Sequence, residues 1–133
     1  EAMFDNTFEY IFSPREGTQA ADMTEHFIDP AIVSDRFDRL KVVVEHSALI
    51  KHEARIGRIE EVVVQGPSRR NPNVYSGRTR QYKLVHFSSD VALRPGTYTT
   101  VEITKAAPHF LTGFLVEVLQ MATHKIRIPV VSE

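Results

Sequence analysis

The chain has 133 residues, 42% of them hydrophobic and 25% charged, with a net charge of -1, a composition that suggests neither disorder nor a membrane protein and suits one domain with an appendage. No apolar run approaches the roughly 20 residues of a spanning helix, and the start Glu1-Ala2-Met3-Phe4-Asp5 lacks the basic flank and apolar stretch of a signal peptide, so a cytoplasmic location is expected. The absence of cysteine excludes disulfides, a thiol nucleophile and any cysteine-ligated metal or iron-sulfur site within these residues.

The small net charge hides an asymmetry. Residues 1 to 53 hold eleven acids and five bases, whereas residues 54 to 133 hold eleven bases and six acids. Opposite signs point to different surroundings for the two halves, and the basic half is the candidate for a polyanionic partner.

In chain order, Thr7 to Phe12 alternates Phe8, Tyr10 and Phe12 with Thr7, Glu9 and Ile11, which predicts a strand with one aromatic face. It has no neighbouring strand to pair with, and Ser13 to Thr18 breaks the pattern as a loop. Asp29-Pro30 is a helix start, an N-cap followed by the residue favoured at the first helical position. From there Val33, Phe37, Leu40, Val44 and Ala48 form one apolar stripe, predicting a long helix from about Pro30 to about Ala54 whose stripe docks on something else.

Strand patterns then follow over Ile56 to Gln65, Arg78 to Phe87, Thr97 to Thr104 and Gly113 to Leu119, divided by Gly66-Pro67, by Arg94-Pro95-Gly96 and by Ala107-Pro108-His109. Short strands with Gly and Pro turns predict a small antiparallel barrel of the oligonucleotide-binding type, which leaves no exposed edge. The fold class expected is mainly β with one long helix. Lys125-Ile-Arg-Ile-Pro-Val-Val131 reads as an added edge strand or a disordered end.

From Gly66 to Lys83 a single exposed connection concentrates positive charge. It holds Arg69, Arg70, Arg78, Arg80 and Lys83 without one Asp or Glu, interleaved with the polar donors Ser68, Asn71, Asn73, Ser76 and Thr79. Arginine forks grip phosphate oxygens in pairs, so the loop is a candidate RNA-binding surface. Arg58 and His86 flank it on neighbouring strands and extend the patch. Tyr75 and Tyr82 are either base-stacking groups or barrel residues. Other chemistry is not supported. The six histidines show no metal-ligand spacing, and Glu60-Glu61 are adjacent strand residues that point to opposite faces and cannot act on one bond. No phosphate-binding glycine loop or nucleophile elbow is present, so no catalytic or metal-binding residue is predicted.

The order Gly66-Pro-Ser-Arg-Arg-Asn-Pro-Asn73, Ser76-Gly-Arg-Thr-Arg80 and Leu84-Val-His-Phe87 resembles the TRAM domain that closes MiaB-type tRNA methylthiotransferases, and Phe12-Ser-Pro-Arg-Glu-Gly-Thr-Gln-Ala-Ala21 resembles the segment that ends their radical-SAM barrel. The sequence departs from that family at Gln19, where Pro is usual, and at Tyr82, where Asn is common. The resemblance implies residues 1–54 as a C-terminal remnant of the radical-SAM domain, 55–119 as a TRAM barrel and 120–133 as a tail. It implies that Thr7 to Phe12 is the last strand of the catalytic barrel, with Arg15, Glu16, Gly17 and Thr18 at its mouth. It further implies tRNA, through its anticodon stem-loop, as partner.

On this reading the chain is the C-terminal part of a longer enzyme, as a start without Met would suggest. That enzyme methylthiolates isopentenyladenosine with S-adenosylmethionine and two iron-sulfur clusters, whose ligands lie on upstream cysteines, so no cofactor is expected in this segment. The missing domains, or a second copy through a dimer or swap, are expected to cover the apolar faces. Two alternatives stand beside it: the related methylthiotransferase of a ribosomal-protein aspartate, and a freestanding TRAM-type RNA-binding protein.

Overall fold

A computed structural model describes residues 4–5, 7–68 and 71–123. They divide into two compact units, residues 1–51 and 52–133.

In the first unit the strand expected at Thr7 to Phe12 does not form. The segment is extended but lies in no ladder, because the described residues of this unit hold no other strand to take its backbone groups. Phe8 and Tyr10 remain 82% and 83% exposed. Thr18 then caps a short helix, α1 (Gln19–Asp22), its Oγ accepting from Ala21 N at 3.3 Å, and a 3₁₀ turn follows at Thr24–His26. Neither was expected, since each is too short to show a period. Phe27 meets Phe12 edge-on at 5.7 Å, and the two rings help line a cavity of about 550 Å³ with Met23, Ile28 and Val33.

Helix α2 (Pro30–Glu53) matches the predicted span. Asp29 Oδ1 accepts from Ala31 N at 2.8 Å, which satisfies one of the open donors of the first turn. Along the predicted stripe Val33, Phe37 and Val44 are half-buried and Ala48 is buried, while Leu40 is exposed. Gly57, at φ +80°, lies in the turn that follows the helix and donates its N–H to Ile103 O at 2.8 Å.

Five strands close a barrel in the order β1-β2-β3-β5-β4: β1 (Ile59–Pro67), β2 (Val74–Thr79), β3 (Leu84–Ser88), β4 (Tyr98–Ala106) and β5 (Leu111–Gln120). The barrel is the expected oligonucleotide-binding type with two changes. The single strand predicted over Arg78 to Phe87 is two strands with a tight turn between them, and β3 pairs with β5 in parallel, the other four pairings being antiparallel. Alternation places Val62, Val64, Tyr75, Val85, Phe87, Val101, Ile103 and Leu111 in one core. Each fully buried side chain such as Phe87 contributes about 1.5–3 kcal/mol. Tyr75 is a core residue, stacked on Phe87 at 6.0 Å and accepting from Leu93 N at 3.2 Å.

Closure depends on two glycines where strands come too close for a side chain. A Cβ at Gly77 would lie 2.7 Å from Val63 O, and one at Gly113 would run into Glu102 O and lie 2.8 Å from Val101 Cγ1. The expected tail strand falls in residues 124–133, outside the described residues.

Candidate nucleic-acid interface

The predicted basic loop is not one loop. Strand β2 occupies its centre, with Val74, Ser76 and Arg78 facing outward and Tyr75, Gly77 and Thr79 inward. The connection from β1 to β2 is therefore confined to residues 68–73 at one end of β2. The turn from β2 to β3, residues 80–83, lies at the other end, roughly 17 Å away at about 3.3 Å per residue.

At the first end the chain is ordered by its own asparagines. Asn71 Oδ1 accepts from Asn73 N at 3.0 Å, an Asx turn that local side-chain bonding favours. Ser68 N donates to Val74 O at 2.7 Å and Ser89 N to Asn73 O at 3.1 Å. Asn71 and Asn73 are exposed and Ser68 is half-buried. Arg69 and Arg70, which carry the predicted charge of this end, lie outside the described residues.

The second end is partly neutralised. Arg80 is exposed, but its Nε donates to Glu61 Oε1 at 3.0 Å. Arg55 Nη1 donates to Glu60 Oε1 at 2.6 Å and to Gln81 Oε1 at 3.1 Å. Glu60 and Glu61, read in sequence as plain surface positions, thus hold the cations of the neighbouring elements. Lys83, expected on an exposed loop, is 5% exposed, and Thr79 is buried with its Oγ1 accepting from Lys83 N at 3.1 Å. Both sit in the β2–β3 turn, whose backbone closes Thr79 N onto Lys83 O. Arg58 is exposed at the entry to β1, the same end as this turn, since Val62 pairs with Thr79.

Between the two ends lies the outer face of β2, β3 and β5. Arg78 projects from it, its guanidinium carbon 4.6 Å from the centre of the Tyr82 ring and its Nη1 donating to Tyr82 O at 3.1 Å. Ser76 and His86 are cross-strand partners joined by a 3.0 Å hydrogen bond between Oγ and Nδ1. Sequence reasoning missed Phe110, whose ring meets the His86 ring edge-on at 5.2 Å. The inward places of Leu111 and Gly113 mark residues 110, 112 and 114 as the outward set, a signal that becomes usable once β5 is known to start at Leu111.

The face therefore gathers Ser76, Arg78 and His86. Arg58 and Arg80 stand beyond one end, and Ser68, Asn71 and Asn73 beyond the other. Arg15, Glu16, Gly17 and Thr18, predicted for a different site, form an exposed turn in the first unit, closed by Thr18 Oγ donating to Arg15 O at 2.7 Å. Among the described residues, no group of three or more His, Asp or Glu could hold a metal ion, and no helix is long and apolar enough to cross a membrane.

A closed barrel of this order, with polar and cationic side chains on one outer face, belongs to the oligonucleotide-binding class. More narrowly, residues 53–116 match the TRAM domain. The chain is 42% identical over 84% of its length to the tRNA-2-methylthio-N(6)-dimethylallyladenosine synthase of Acidothermus cellulolyticus. It is 40% identical over 86% of its length to the synthase of the same name from Moorella thermoacetica, and 39% identical over 93% to that of Geobacillus kaustophilus. Across the stretch they share, the chain is similar to the synthases of this name, and residues 53–116 carry the match to the TRAM domain. It spans only 22%, 25% and 23% of the length of these three relatives.

Proposed function

We propose that the barrel is the RNA-gripping part of a tRNA methylthiotransferase that modifies isopentenyladenosine beside the anticodon, and that it holds the anticodon stem-loop. The observation that carries this reading is the match of residues 53–116 to the TRAM domain, beside relatives named for a modified tRNA adenosine. The outer face supplies Arg78, Ser76 and His86, with Arg58 at one end and Asn71 and Asn73 at the other, next to Arg69 and Arg70 in sequence. Phosphate contacts of this kind position an RNA without reading its bases, so choice of the adenosine falls to the rest of the enzyme.

In the whole protein, iron-sulfur clusters and S-adenosylmethionine supply the methylthiolation chemistry, and this chain, without cysteine, supplies none of the cluster thiolates. The exposed aromatic groups Phe8 and Tyr10 and the turn Arg15 to Thr18 face the remaining domains in this account, in the cytoplasm where tRNA is modified. The adenosine in the relatives' names favours this reading over an aspartate methylthiotransferase. Its test is fluorescence anisotropy of a labelled anticodon stem-loop titrated with the protein. Saturable binding that competitor tRNA reverses is expected, and absence of binding at low salt would contradict it.

A further inference from the structure

Resting on that reading, we infer that the outer face of β2, β3 and β5 is a stacking platform for an unpaired nucleobase, with Phe110 as the stacking group. Strand register puts the residues of this face into rows. Arg78 pairs with Leu84; Ser76 pairs with His86, and His86 with Thr112; Val74 pairs with Ser88, and Ser88 with Phe114. Phe110 stands one residue before Leu111, its ring edge-on to His86 at 5.2 Å. Phe110 is 38% exposed and Phe114 43%, so two aromatic rings lie open on a strand face that also carries the hydroxyls of Ser76, Ser88 and Thr112.

A purely apolar partner would strip water from the hydroxyls of Ser88 and Thr112 and from the part of the Arg78 guanidinium not bonded to Tyr82 O, which is unfavourable. A nucleobase suits them better. Its flat face stacks on an aromatic ring whatever its identity, its edge offers donors and acceptors to Ser, Thr and His, and its backbone carries the negative charge that Arg78 attracts. The Ser76–His86 hydrogen bond fixes the imidazole and, through the edge contact, supports the Phe110 ring. The platform lies between the two polar ends of the interface, where a strand gripped at both would cross it.

The experiment compares an anticodon stem-loop with a hairpin of the same stem closed by a polyethylene glycol linker in place of the unpaired nucleotides. The probes are the wild-type protein, Phe110→Leu and Phe110→Tyr, with the melting temperature of each recorded. Phe110→Leu is expected to weaken stem-loop binding about tenfold, to leave hairpin binding and the salt dependence unchanged, and to be rescued by Phe110→Tyr. In parallel, 2-aminopurine at unpaired loop positions of the stem-loop should lose fluorescence when the wild-type protein binds, a readout that needs no variant. Salt-dependent binding with unchanged affinity for Phe110→Leu and no fluorescence change overturns the platform alone. No binding of either RNA by the wild-type protein overturns the RNA-binding reading with it. Equal weakening on stem-loop and hairpin overturns the platform in favour of a structural role for Phe110.

Discussion

Arg78 and Tyr82 clasp the β2–β3 turn: the guanidinium lies 4.6 Å over the Tyr82 ring, and Tyr82, at φ +63°, returns its carbonyl to Arg78 Nη1 at 3.1 Å. A left-handed backbone is unfavourable for tyrosine by about 1 kcal/mol, and, glycine aside, it is where asparagine is among the best tolerated residues. Tyr82→Asn should relieve the left-handed cost and remove an exposed cation–π interaction worth about 0.5 kcal/mol. A net gain of about 0.5 kcal/mol, or about 2–4 °C in melting temperature, is expected; a fall in melting temperature would show that the clasp outweighs the strain.

The same turn explains what sequence could and could not reveal. Helix α2 was legible because Asp29-Pro30 announces its start and its apolar spacing continues without interruption. The two strands around residues 80–83 merged into one because Thr79 to Lys83 contains no Gly, Pro or Asn, and the left-handed residue is a tyrosine. The parallel pairing of β3 with β5 was not legible, since alternation reports which face a side chain takes and not strand direction. The site was legible in its residue types but not in its layout. Glu61 neutralises Arg80 only through barrel register, and the inward turn of Lys83 depends on the same turn geometry.

Glu61 and Arg80 yield a second prediction. Their pair is largely exposed, with side-chain exposures of 31% and 75%, so it contributes at most about 1 kcal/mol to folding. Glu61→Gln should change the melting temperature little. By freeing Arg80 and removing a negative charge beside the interface, it should tighten RNA binding measurably at low salt and lose that advantage at high salt. Weaker binding by this variant in an anisotropy titration would exclude Arg80 from the contact surface.

Barrel closure is tested at Gly113. Alanine there must displace the Glu102 carbonyl and Val101, both on the adjoining strand β4. The expected loss is about 3 kcal/mol or more, at the upper end of overpacking, seen in denaturant unfolding as a lower midpoint. A midpoint within error of wild type would mean that β4 and β5 can separate without harm.

The central claim, that the barrel and its basic connections grip RNA phosphates, is tested most directly by the salt dependence of stem-loop binding in the wild-type protein and in a double charge reversal, Arg69→Glu with Arg70→Glu. Each phosphate contact contributes a log-log slope of about -0.7 to -0.9. The account predicts that the double variant keeps its melting temperature to within about 0.5 kcal/mol of stability and weakens binding to different RNAs alike. Its slope should be flatter by about twice that per-phosphate value, one share for each arginine reversed. A double variant with wild-type affinity and wild-type slope would contradict it.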